Sequence, residues 1–214
     1  ILHLCLLRVN CLITGSAIFM RLDGPATEPL SILFSEAGIS LGTLLQSCAQ
    51  SQLIVLGGKS RAGKTSLSKL IQEGLLRLGR EVVVMCLDDY LGGPGYVKAV
   101  GQPNGSIPIE EELSLKFSYI RIEEDVGRLL AGEPVYLPVY SRKYRTRLQE
   151  RADRPLIARQ GLLVEGTPAL ALEALKAKPS TRIYLDADSK ERETLLMRDW
   201  MESKGLPLAQ AKIL

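Results

Sequence analysis

The chain has 214 residues, 46% hydrophobic and 24% charged, with a net charge of +3. That is enough apolar material for a core of ordinary domain size, and too little excess charge to argue for nucleic acid or a membrane as partner. One histidine, His3, and four cysteines (Cys5, Cys11, Cys48, Cys86) without CxxC or other ligand spacing exclude histidine catalysis and a His-rich metal centre, and point to a reduced, cytoplasmic chain.

Residues 1–52 read as an N-terminal extension of uncertain structure. Residues 1–19 are apolar but broken by His3, Arg8 and Asn10, which argues against a transmembrane helix. Gly24, Pro25 and Pro29 follow, then a mixed apolar segment from Ile32 to Leu45. The chain begins without methionine, with Met20 a candidate start, and stops at Leu214 inside a helical pattern. Both ends therefore read as cut, and the domain over 53–214 as incomplete at its C-terminus.

Leu53 to Gly57 is an apolar, β-branched run leading into Gly58-Lys59-Ser60-Arg61-Ala62-Gly63-Lys64-Thr65-Ser66, which matches G-x-x-x-x-G-K-[ST] from Gly58 to Thr65. Leu67, Leu70, Ile71, Leu75 and Leu78 then recur at helical spacing, and Gly79 ends the pattern. In this strand–loop–helix setting the loop N–H groups and the positive helix end form a nest for phosphate oxygens. Lys64 is expected to reach the β- and γ-phosphates, and the Thr65 hydroxyl to sit on Mg²⁺.

Glu81 to Leu87 reads as a buried strand that stops at Asp88-Asp89-Tyr90, and Leu91 to Pro108, rich in Gly and Pro, as a mobile loop. A helix is predicted over 110–131, then an extended segment from Pro134 to Tyr140 and a basic run from Ser141 to Arg147. Gly161 to Gly166 is a second buried strand ending on an acid; a short helix (170–177), a strand (182–186) and a charge-rich helix (190–203) close the chain. Strands alternating with helices predict an α/β fold, a mostly parallel sheet flanked by helices in three layers. In such sheets ligands bind beyond the carboxyl ends of the strands, where Asp88 is expected to act as base and Glu165 to hold the metal.

Together these pieces resemble the uridine kinase and phosphoribulokinase group of P-loop kinases. The resemblance is carried by Gly57 to Thr65, Leu87-Asp88-Asp89-Tyr90, Leu137-Pro138-Val139-Tyr140, Val164-Glu165-Gly166, and Ile183 to Asp188 with Met197-Arg198-Asp199-Trp200. It implies a P-loop NTPase fold, with ATP and Mg²⁺ as cofactors and a hydroxyl of a small metabolite (nucleoside, sugar or sugar phosphate) as acceptor. Asp88, Lys64 and Arg198 are the implied catalytic residues; Asp88, Tyr140 and Arg145 face the acceptor, and Thr65 with Glu165 holds the metal. No nucleic acid or membrane partner is implied, and a homo-oligomer is allowed. Arg145 stands where uridine kinases carry a base-reading histidine, which leaves room for an anionic or sugar-like acceptor. Leu195 and Ser203 fall where the group often has lid arginines. An adenine-cupping segment would lie past the last strand.

Other patterns in the chain are weaker. Asp89 to Gly92 spells D-x-x-G, as in a GTPase switch, but no N-K-x-D follows, and no LSGGQ-like signature suggests an ABC ATPase. Arg142, Lys143, Arg145, Arg147, Arg151 and Arg154 form a basic run, but Glu150 and Asp153 dilute it, so a solvated substrate flap explains it better than a nucleic-acid patch. A catalytically degenerate, nucleotide-binding regulatory protein is the remaining alternative.

Overall fold

The computed structural model describes residues 8–14, 17–23, 41–92, 109–141, 146–149, 152–178, 180–187 and 189–204. In chain order the elements are β1 (Arg8–Thr14), β2 (Ala17–Asp23), α1 (Leu41–Ala49), β3 (Leu53–Gly58), α2 (Lys64–Arg77), β4 (Val83–Cys86), a 3₁₀ turn (Leu87–Tyr90), α3 (Ile109–Lys116), α4 (Tyr119–Leu130), β5 (Val139–Ser141), β6 (Thr146–Gln149), β7 (Leu162–Glu165), α5 (Glu173–Lys176), β8 (Thr181–Ala187) and α6 (Ser189–Lys204).

β3 lies inside the main sheet, and its continuous apolar run suits a strand covered on both faces. All of its residues are buried, and period two divides them. Ile54 and Leu56 join a core with Leu163, Ile183 and Leu185, whereas Leu53 and Val55 join another with Leu162 and Val164. α1 and α2 cover the first core through Leu44, Cys48, Leu67, Ile71 and Leu75. α4 covers the second through Ile122, Val126 and Leu129. Helices thus lie on both faces of the sheet, the three layers that the alternation of elements predicts.

The sheet runs β1-β2-β8-β3-β7-β4, with every neighbouring pair parallel except the β1–β2 hairpin. β1 and β2 arise from a stretch for which the sequence suggests no structure. β2 pairs in parallel with β8, from Ala17 opposite Arg182 to Leu22 opposite Ala187. The single helix predicted over 110–131 is two. Phe117 is buried in the second core and bridges Leu91, which breaks the helix, and α4 restarts with Ile122 N–H donating to the Ser118 carbonyl at 3.0 Å. The predicted mobile loop over 91–108 lies mostly outside the described residues, as does the C-terminal end, 205–214, on which the reading of an incomplete domain falls.

Local chemistry sets the ends of α2. Past its C-terminus, Gly79 N–H donates to Leu76 O at 3.0 Å and Arg80 N–H to Leu75 O at 2.9 Å, with Gly79 at φ +79°. This is a Schellman stop, which needs the left-handed residue that glycine supplies at little cost. The Arg80 guanidinium then turns to the end of α1, donating to the carbonyls of Cys48 (3.0 Å), Ala49 and Ser51 (2.6 Å). It satisfies carbonyls that the helix end leaves without partners.

Three weak acids are held in their neutral form, Cys48 and Tyr90 buried and Cys86 half-buried. Burial pushes the Cys48 thiol up to about 12, against the pull of Arg80. Burial, then the Glu165 and Asp88 carboxylates, raises Cys86, and burial followed by a hydrogen bond to Asp125 raises Tyr90. Each folded-state value lies above its ordinary one of 9.0 or 10.0, so the stability it contributes is complete below that pH and is lost as pH rises through it. Each group should cost about 1.4 kcal/mol per pH unit once the unfolded chain begins to ionise. The urea midpoint should therefore hold to pH 8 and fall clearly between pH 9 and 11. A flat midpoint over that range would show that these groups ionise freely in the folded chain.

Candidate functional site

The loop between β3 and α2 carries three residues at positive φ: Gly58 (148°), Arg61 (63°) and Gly63 (91°). Alternation of left- and right-handed residues turns successive N–H groups to one side, as in an anion nest. α2 starts directly after Gly63, whose carbonyl accepts from Ser66 and Leu67 N–H, both at 3.0 Å. The positive end of α2 therefore opens into the loop. Lys64 Nζ folds back along it and donates to the Lys59 carbonyl at 2.8 Å. Lys59, Ser60 and Arg61 are exposed, whereas Ala62 is fully buried and anchors the loop to the first core.

The sheet brings the acids to the same end. Glu165, the last residue of β7, stands opposite Leu56 of β3 on one side and Cys86 of β4 on the other. Asp88 lies two residues past Cys86, at the start of the 3₁₀ turn. Glu165 is thus placed between the phosphate loop and the Asp88 turn. Its carboxylate is 3% exposed and accepts a hydrogen bond from Thr65 Oγ1 at 3.0 Å, across the boundary between β7 and α2. A carboxylate so buried calls for a compensating charge.

Two contacts not foreseen from the sequence support this end of the sheet. Asp186 near the end of β8 faces Lys59, with Nζ–Oδ1 at 3.9 Å; the lysine is exposed and the aspartate half-buried, a pair of modest energetic weight. The rule that pointed to Asp88 and Glu165 reaches it equally. The second contact fixes the Asp88 turn: Tyr90 is fully buried, and its hydroxyl donates to Asp125 Oδ2 of α4 at 2.7 Å, with Arg121 Nε 3.8 Å from the same oxygen. Asp125 sits on the otherwise apolar face of α4, the one signal that could have singled it out.

Val139–Ser141, from the extended segment, and Thr146–Gln149 pair as antiparallel strands. Tyr140 of β5 pairs with Arg147 of β6, and β5 packs against the 3₁₀ turn. Tyr140 is thereby carried to the side of Asp88. Arg145 lies outside the described residues. Arg198 is exposed on α6, the helix that follows β8; Leu195 and Ser203 are on the same helix. The structure thus gathers Lys64, Thr65, Glu165 and Asp88 at one sheet edge, while Tyr140 and Arg198 stand on flanking elements.

Among the described residues no helix is long and apolar enough to cross a membrane, and no group of three or more His, Cys, Asp or Glu could hold a metal ion. A hydroxyl and a carboxylate in contact are nevertheless a fitting donor set for Mg²⁺, which usually takes one or two carboxylates and completes its shell with water and substrate phosphates.

No protein-family model matches the chain, and neither does any curated protein. Solved structures do. One, from Silicibacter sp. TM1040, is described as a "putative fructose transport system kinase"; it is 21% identical, with a TM-score of 0.59 over 75% of this chain and 77% of its own. Another, from Bacillus stearothermophilus, is described as a "possible uridine kinase"; it is 17% identical, with a TM-score of 0.53 over 77% of this chain and 91% of its own. At these identities the likeness concerns the fold: this chain has the three-layer α/β architecture of these P-loop kinases.

Proposed function

We propose that the chain is an ATP-dependent phosphotransferase that moves the γ-phosphoryl group onto a hydroxyl of a small metabolite of nucleoside, sugar or sugar-phosphate type. The observation that carries this reading is the Thr65–Glu165 contact, made between a phosphate nest on one side and Asp88 on the other. Kinase folds among similar solved structures support it.

The residues take the following parts. The loop from Gly58 to Ser66 and the start of α2 bind the phosphates, and Lys64 leaves the Lys59 carbonyl to follow the β- and γ-oxygens. Thr65 and Glu165 hold Mg²⁺, which when bound neutralises charge on the phosphate oxygens. Asp88 accepts the proton of the acceptor hydroxyl as its oxygen bonds to the γ-phosphorus and the bond to the ADP oxygen breaks. Arg198 balances charge on the transferring group, and Tyr140 and Arg145 orient the acceptor. Reliance on ATP fits a cytoplasmic setting.

The test is ADP release from Mg·ATP by the chain across a panel of hydroxyl-bearing metabolites. One acceptor should raise turnover far above hydrolysis by water, with a matching phosphorylated product by mass. ATP binding with no accelerated turnover across the panel would favour the degenerate, regulatory alternative.

A further inference from the structure

Among the described residues, Arg61 is the one residue other than glycine at positive φ, at 63°. In that region the Cβ of an L-residue crowds the following carbonyl oxygen, a cost that glycine avoids and asparagine tolerates. The nest imposes the conformation, because the loop turns through a left-handed residue at this point. The chain nevertheless puts an arginine there and leaves it exposed. Strain kept at a candidate site points to what the side chain does.

Lys59, Arg61 and Lys64 are the cations of the loop. Lys64 Nζ lies along the loop at the Lys59 carbonyl, and Lys59 Nζ is turned to Asp186 of β8. Arg198 stands on the flanking helix α6. A transferring phosphoryl group would gather its charge beside two carboxylates, the buried Glu165 and Asp88. Arg61 starts from within the nest, and its side chain is long enough to reach an oxygen held by the loop N–H groups. Its planar fork of five donors matches two phosphoryl oxygens at once. Arg61 has a contact of its own in the structure. On an exposed side chain such a contact is weak, and the fork can keep it or exchange it for a more highly charged group.

We propose that Arg61 is a catalytic arginine supplied by the phosphate loop itself. As the acceptor oxygen bonds to the γ-phosphorus, the bond to the ADP oxygen breaks and the acceptor proton passes to Asp88. The Arg61 guanidinium donates to the γ-phosphoryl oxygens through that step and offsets the charge they gather. This role rests on the phosphotransferase reading. The test pairs steady-state kinetics of the full chain with calorimetric titration by Mg·ADP, with and without aluminium fluoride as a stand-in for the transferring group. Arg61→Gly and Arg61→Asn both accept the φ of the loop and remove the guanidinium. Each should lower kcat by at least about 10²-fold, as loss of an arginine at a transferring phosphoryl group does. The KM for ATP and the affinity for Mg·ADP should change little, and the urea midpoint should hold or rise. Arg61→Lys, which keeps the charge without the fork, should fall between. Arg77→Gln, at the exposed far end of α2, should match the unsubstituted chain. Aluminium fluoride should tighten ADP binding by the unsubstituted chain and not by either variant. A smaller fall in kcat in either variant, a lowered urea midpoint in both, or tightening that survives loss of Arg61 overturns the inference. Arg61-dependent tightening with no phosphorylated product from any acceptor would instead refute the phosphotransferase reading and leave the contact standing.

Discussion

Asparagine at position 88 is expected to lower acceptor-dependent ADP formation by about 10²- to 10⁴-fold, the range for loss of a positioned general base. The substitution keeps the shape of the side chain and its capacity to accept a hydrogen bond, but removes the site for the proton. The turn itself should persist, because it is held by the Tyr90 hydrogen bond to Asp125 and by the burial of Leu87 and Tyr90, none of which involves the Asp88 carboxylate. The loss should accordingly fall on kcat, with the KM for the acceptor little changed. Steady-state kinetics on the acceptor identified from the panel would decide it. A fall of less than about tenfold would mean that the hydroxyl proton leaves by another route and that Asp88 only positions the acceptor.

Alanine at position 58 should cost about 2–4 kcal/mol of stability and abolish nucleotide binding. Gly58 sits at φ 148°, and a Cβ there would meet the Leu185 carbonyl oxygen of β8 at 2.1 Å. That oxygen belongs to a parallel ladder in which Gly58 and Leu185 are paired, so the clash falls on backbone held from both sides rather than on a flexible side chain. Relief requires β3 to move away from β8, and the entrance to the phosphate loop moves with it. Gly127→Ala is the contrasting case. A Cβ at that position in α4 meets nothing within 4 Å, and the change should add up to about 1 kcal/mol through helix propensity. Urea titration of both variants, with a fluorescent ATP analogue as ligand, measures stability and binding together. Normal nucleotide affinity in Gly58→Ala would show that the loop tolerates displacement of its first residue.

Much of the site was legible because its signals are local. The apolar run before Gly58 and the helical spacing after Lys64 together identify strand, loop and helix, and β3 and α2 lie where those patterns put them. Glu165 was legible once a parallel sheet was inferred, since buried runs that stop at acids must present them at one edge. What escaped depends on partners distant in sequence. β2 has no pattern that names β8 as its neighbour. Nothing local breaks the helix over 110–131; the break comes from burial of Phe117 against Leu91. Asp125 gains its meaning from Tyr90, 35 residues earlier.

The place of β2 in the sheet has a consequence for how the chain is made. The β1–β2 hairpin leaves the ribosome before any other described element, yet the strand it adds to, β8, is the last of the sheet. Such pairing closes a loop from Ala17 to Arg182 and is slow to be rewarded. β3, β7 and β4 can assemble around the phosphate loop while the hairpin waits with an unpaired edge, open to other strands. Its docking onto β8 is the step at which synthesis order and folding order part, and the one at which a chaperone would have most to protect.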